Sequence, residues 1–217
     1  MIIGKEYRHV INVTYIVFMF FFSACAPTPQ PEQVIVTAYA TAASTPWLTD
    51  LYACATKSNT VIKISADSPD ISLQIGQPET LILPAYQIGE EEILVVAHGE
   101  NSMPDLTLTE AQTLFALGNP SAQVLVYPSA ADLQRVFDQL VMQGRSVSLS
   151  AKIAVSPQNM SDMLKSESTA IGILPRHWVT GDVREVFSAG HAPVLAVTKQ
   201  APQGAAVVAL IACLQNN

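Results

Sequence analysis

The sequence predicts an α/β protein, and three observations carry that expectation. Short apolar runs rich in β-branched residues alternate along the chain with amphipathic stretches, and several of those stretches open on helix N-cap signatures. Of the 217 residues 49% are hydrophobic, enough to bury a substantial core or two small lobes. Only 13% are charged, about half the usual share of a soluble domain. That composition excludes intrinsic disorder. Eleven Lys and Arg stand against eighteen Asp and Glu, so a basic surface for nucleic acid is excluded as well.

The N-terminus reads as an address. Lys5, Arg8 and His9 precede an apolar run from Val10 to Phe22, and Ser23, Ala24 and Cys25 follow at once. A basic start, an apolar middle and a small-residue end make the layout of an export signal. The run is about 13 residues, short of the roughly 20 needed to cross a bilayer. Phe22-Ser23-Ala24-Cys25 resembles the lipobox of bacterial lipoproteins, departing from it at Phe22, where Leu is usual. The resemblance implies that residues 1–24 are a signal peptide and that Cys25 is acylated, anchoring the chain to the outer side of the cell membrane. An ordinary cleaved signal or an uncleaved anchor is the alternative. Pro27, Pro29 and Pro31 make residues 25–32 an extended stalk. Without residues 1–24 the chain keeps nine basic and seventeen acidic residues, a net charge of −8.

The elements follow in order. Val34 to Tyr39 reads as a strand, and Thr45-Pro46 as an N-cap with proline at the first helical position. Trp47, Leu51, Cys54 and Ala55 recur at helical spacing and place Cys54 on a buried face. Val61–Ser65 and Ile71–Ile75 are strand-like around the turn Asp67-Ser68-Pro69-Asp70. Ile93–Ala97 is a continuous apolar run suited to a strand buried on both faces. Thr107-Leu-Thr-Glu110 has capping-box spacing ahead of Ala111 and Phe115. After a strand at Val124–Tyr127, Leu133, Val136, Phe137, Leu140 and Val141 form the clearest amphipathic stripe of the chain. Ser156-Pro157 opens a further helix, Ala170–Leu174 and Pro193–Thr198 are strands, and Ala205 to Cys213 a closing helix.

Cysteine arithmetic leaves Cys54 and Cys213 as an even pair once Cys25 is assigned to the lipid. A disulfide between them is expected in an oxidising compartment, with two buried free thiols as the alternative. No nucleophile elbow, phosphate loop, dinucleotide fingerprint or zinc-protease motif occurs, so no catalytic activity is expected. His98, His177 and His191 lack ligand spacing and read as surface or loop residues. Glu90-Glu91-Glu92 reads as a solvated edge or turn.

The order of segments carries a further resemblance. Leu106-Thr-Leu-Thr-Glu110 leading to Leu114-Phe115-Ala-Leu-Gly118, preceded by Ile93–Ala97 and followed by Ala170-Ile-Gly-Ile173, resembles the substrate-binding proteins of phosphate-type ABC transporters. The resemblance implies a two-lobed type 2 periplasmic-binding-protein fold in a short version. Residues 33–88 and 190–217 would form lobe one and residues 89–189 lobe two. That arrangement would also bring Cys54 and Cys213 into the same lobe. It implies a monomer that captures a small polar or anionic solute, possibly phosphate-like, for an ABC transporter permease, with no cofactor and no metal. Loops that aim hydroxyls and N–H groups into a cleft nominate Thr41, Ser44 and Thr45; Asp67, Ser68 and Asp70; and Ser129 with Asp132. Each of these serves capping or turn chemistry equally well. The family's Ser-Gly-Thr is Ser129-Ala130-Ala131 here and its anion-clamping arginine has no match beside it, so Arg176 or Arg145 would substitute. The rival reading is a degenerate binding-fold lipoprotein that acts as a sensor or protein-interaction module.

Overall fold

Strand β1 (Val34–Ala40) alternates buried Val36 and Ala38 with outward-facing neighbours, the period of a strand whose one side meets helices. This computed structural model describes residues 33–78, 80, 82–199, 201 and 204–216; the segments expected to be an export signal (residues 1–24) and a stalk with Cys25 (residues 25–32) lie outside them. After β1 come a 3-10 turn (Thr45–Trp47), α1 (Leu48–Lys57), β2 (Thr60–Ile64), β3 (Ile71–Ile75) and the long β4 (Ala85–His98). The middle of the chain supplies α2 (Leu108–Leu117), β5 (Gln123–Val126), α3 (Asp132–Phe137) continuing as a wider π turn (Asp138–Met142), and the two-residue β6 (Lys152–Ile153). It ends with α4 (Pro157–Ser166), β7 (Ala170–Pro175), a 3-10 turn (Arg176–Trp178), the long β8 (Val183–Thr198) and α5 (Ala205–Gln215). No described helix is long and apolar enough to cross a membrane.

The strands form one mixed sheet in the order β2-β1-β3-β8-β4-β7-β5-β6. β1 runs parallel to β2 and β3, and β5 parallel to β6 and β7. The two parallel sets flank the antiparallel pair β4–β8, which runs in register from Ala85↔Val197 to His98↔Val183 with three irregularities. The order therefore reads the same from either edge: β2, β1, β3 and β8 answer to β6, β5, β7 and β4. Because β3 ends where Ile75 pairs with Val194 and β7 ends where Pro175 pairs with Ile93, the carboxyl ends of both parallel sets point at the middle of the long pair.

Local chemistry explains the helices. Thr107 accepts a hydrogen bond from Glu110 N–H while the Glu110 carboxylate takes Thr107 N–H, closing the expected capping box. Ser156 accepts from Asn159 N–H at 3.1 Å ahead of Pro157. Before α1 the N-terminal position falls to Ser44 rather than Thr45, whose hydroxyl donates to the carbonyls of Thr41 and Ala42. The stripe of Leu133, Val136, Phe137 and Val141 is buried as its spacing requires, though the helix widens after Phe137. Cys54 and Cys213 are joined, S–S 2.01 Å, tying α1 to α5.

Two expectations need correction. Ile93–Ala97 and Pro193–Thr198 are only parts of strands of 14 and 16 residues. Their remaining stretches carry charges, glycines and a proline, and become strands because each finds the other. The acidic triplet is no solvated turn either. It lies inside β4, where the alternation set by buried Ile93 turns Glu91 inward.

Candidate functional site

The carboxyl end of β1 leads into the loop that holds Thr41 and Ser44, and the carboxyl end of β5 leads to Asp132 at the start of α3. In open α/β sheets such ends, where the chain leaves a strand for opposite neighbours, are where ligands gather. Here the two ends touch. Thr41 Oγ1–H donates to Asp132 Oδ2 at 2.6 Å, and Ile75 N–H donates to the same oxygen at 3.1 Å. Leu133 N–H reaches Oδ1 at 2.9 Å. Thr41 and Ser44 hydroxyl oxygens lie 2.9 Å apart, and buried Ser44 donates to Leu73 C=O at 2.8 Å. Asp132 is 7% exposed. Burial, and after it the charge of Asp132, push the neighbouring Tyr127 phenol up; its hydroxyl donates to Ile173 C=O.

Beside this contact Gly76, just after β3, packs directly against Val136 of α3. Its φ is +76°, and a Cβ there would stand 2.2 Å from Val136 Cγ2 on α3. Glycine is required twice over, by conformation and by space.

A second group of side chains crosses the same junction. Glu91, with its side chain 1% exposed, accepts hydrogen bonds from Trp47 Nε1–H and from His177 N–H, each at 3.1 Å. His177 Nδ1 lies 2.6 Å from Glu91 Oε2, and the Trp47 and His177 rings are tilted with centroids 5.5 Å apart. Trp178 Nε1–H donates to Ala43 C=O at 3.1 Å, so the turn after β7 is fastened to the turn after β1. Gly89 leaves room for the Trp47 ring, which would sit 2.3 Å from an added Cβ.

The sequence-nominated residues divide accordingly. Thr41, Ser44 and Asp132 come together, while Thr45 is spent on its own turn. Asp67 and Ser68 are exposed in the β2–β3 connection. Asp70 accepts from Thr37 N–H and Oγ1–H and pairs with Lys199 at 2.8 Å. Ser129 is exposed in the turn before α3. Arg176 sits at the junction with its guanidinium held by Glu92 at 2.8 Å and Glu185 at 2.9 Å, and those carboxylates, Glu92 first, push its pKa up. Arg145 is exposed. The Ser188 hydroxyl, then Arg176, holds the Glu92 carboxyl below its ordinary value. Trp47, Glu91, His177 and Trp178 were absent from the nominated set. The period of two counted back from Ile93 is the signal that would have found Glu91. Among the described residues no group of three or more His, Cys, Asp or Glu gathers as metal ligands.

No family model and no curated protein matches the sequence. Solved structures match the fold. A Clostridium perfringens protein assigned as a phosphate ABC-transporter substrate-binding protein, solved with bound phosphate, superposes with a TM-score of 0.74 at 16% identity over 83% of this chain and 92% of that one. An ABC-type phosphate transport receptor from Vibrio cholerae gives 0.61 at 13% identity over 83% and 93%. The sulfate-bound regulatory domain of the OxyR2 E204G mutant from Vibrio vulnificus gives 0.64 at 10% identity over 88% and 99%. These neighbours share the type 2 periplasmic-binding-protein fold expected from the sequence.

Proposed function

We propose that this chain is an extracytoplasmic, lipid-anchored solute-binding protein that captures a small polar or anionic solute and presents it to an ABC transporter permease. The observation that carries the reading is the convergence of Thr41, Ser44 and Asp132, from opposite ends of the sheet, at the carboxyl ends of both parallel sets. Residues 33–88 with 190–217 form one lobe, residues 89–189 the other, and β4 with β8 the hinge. A solute enters when the lobes part at the Thr41–Asp132 contact and is enclosed when they meet again. The likeness of the fold to transport receptors supports this reading, and the Cys54–Cys213 disulfide fits the oxidising side of a membrane. Acylation of Cys25 and the stalk of residues 25–32 keep the domain beside its permease.

The test is a thermal-shift screen of the acylated chain against oxyanions, sugars, amino acids and organic cations. A bound solute raises the melting temperature in proportion to the logarithm of its concentration. A flat response across the panel sinks the solute-binding reading. Mass spectrometry of the membrane fraction tests the anchor separately, since an intact Met1 there rules out acylation of Cys25.

A further inference from the structure

We infer that Trp47 and Trp178 form a reciprocal clasp that holds the two lobes shut through the chain's own groups, so that the closed arrangement needs no solute to stabilise it. The inference rests on the two-lobe part of the proposed reading and not on any solute. Each lobe sends one indole to the other. Trp47, from the turn after β1, donates Nε1–H to Glu91 of β4, and Trp178, from the turn after β7, donates Nε1–H to Ala43 C=O, both at 3.1 Å. His177, next to Trp178 in the chain, joins the two contacts. Its N–H and Nδ1 meet the same Glu91 carboxyl, and its ring lies against the Trp47 ring.

The clasp sits where β4 passes from one lobe to the other. The strand shifts register between Gln87 and Gly89, and the Trp47 ring rests on the backbone at that irregularity. Gly89 has no positive φ, so space alone demands glycine there: a Cβ would run into Cη2 and Cζ3 of Trp47. A strand bends where its ladder is interrupted, and a ring seated at that point opposes the bend. Glu91 adds to the hold. Its side chain is buried, so parting the lobes removes an indole donor that water must replace. Both indoles are only half-buried, and exchanging protein for water hydrogen bonds at such sites has a small net cost. The clasp is therefore reversible. A solute binds only the parted fraction of chains, which lowers its apparent affinity in the same proportion.

Hydrogen exchange followed by NMR on the full chain tests this with no solute present, because Trp47 and Trp178 are the only two tryptophans and give the only two indole N–H signals. The remote reporter is Ile75 N–H, which donates across the lobes to Asp132 and takes no part in the clasp. Gly89→Ala, which displaces the Trp47 ring, is expected to speed exchange of Ile75 N–H and of the Trp178 indole at least about tenfold, the shift that one lost hydrogen bond to a carboxyl produces. Trp178→Phe keeps a ring but loses the donor to Ala43, and is expected to speed Ile75 N–H and the Trp47 indole about fivefold. Amides of β5 and β7 are expected to keep their protection, which shows that the variants are folded. Should Gly89→Ala fail that check, Trp178→Phe alone decides. Indoles that exchange freely in wild type overturn the inference. So does a folded variant in which Ile75 N–H keeps its wild-type rate, since the tryptophans then fasten only their own turns. A solute screen without response leaves the clasp standing, and a solute that binds while Ile75 N–H stays unmoved in the variants removes the clasp alone.

Discussion

The two halves of the sheet share one topology and are stabilised by different means. In the half built on β5, β6 and β7, helices α2, α3 and α4 cover Phe115, Phe137, Leu125, Leu133, Met142 and Met160, all fully buried, and the Phe115 and Phe137 rings lie 4.7 Å apart. In the half built on β1, β2 and β3 the fully buried large side chains are the aliphatic Leu51, Ile71, Leu73 and Ile75. Two helices, α1 and α5, serve that half, and Cys54–Cys213 ties them. Burial stabilises by roughly 25 cal/mol per Å² of apolar surface, so a smaller aliphatic core contributes less than one that includes a tilted pair of aromatic rings. A covalent closure offsets the difference, as it does in small exported domains. One topology can thus be held by packing on one side and by a bond on the other.

The strongest way to break that comparison is to remove the bond. The Cys54→Ser, Cys213→Ser double variant opens a closure spanning 159 positions of sequence, for which chain entropy suggests a loss of up to about 5 kcal/mol. Hydrogen exchange is expected to accelerate most in β1, β2, β3 and α5; equal acceleration in β5 and β7 would refute the asymmetry. Next in size is Phe137→Ala, which leaves a cavity beside Phe115 and is expected to cost about 3–5 kcal/mol in urea denaturation, with exchange rising first in α2 to α4. The smallest effect is acidic and belongs to the first half. Lys199, and then Thr37, hold the Asp70 carboxyl at about 2, below its ordinary 3.8. A carboxyl depressed on folding stabilises the protein above its ordinary value, and that contribution disappears as pH falls through the folded one. The β1–β3 region should therefore loosen between about pH 4 and pH 2, more in wild type than in Asp70→Asn, as followed by exchange across an acid titration. Loosening that begins instead around Phe137 would place the acid-sensitive element in the wrong half.

Local order was open to reading. The capping box of Thr107 and Glu110, the Ser156-Pro157 start, the buried stripe of Leu133 to Val141 and the two-sided burial of Ile93–Ala97 all follow from spacings of a few residues. The pairing of Cys54 with Cys213 followed from counting. At the site, Thr41, Ser44 and Asp132 are expected from the sequence as candidate ligand contacts in separate loops, and the structure brings those three side chains together as hydrogen-bond partners. Asp67, Ser68 and Ser129 matched the same pattern of polar loop residues before or after strands, and the structure places them in exposed turns. A hydroxyl or carboxylate in a loop has the same local appearance whether it faces a cleft or water.

By itself, the sequence determined which segments could be strands or helices, where helices begin, and that the chain is acidic with no basic face for nucleic acid. Those properties depend on side-chain period, capping and composition, which act within a turn or two of chain. Only the tertiary structure decided that β4 and β8 extend past their apolar runs, that Glu91 turns inward to Trp47 and His177, and that Asp132 accepts the hydrogen of Thr41. Trp47 and Glu91 are separated by 44 positions, Glu91 and His177 by 86, and Thr41 and Asp132 by 91. Such contacts exist because a folded sheet brings distant strand ends together, and no local spacing records which ends will meet.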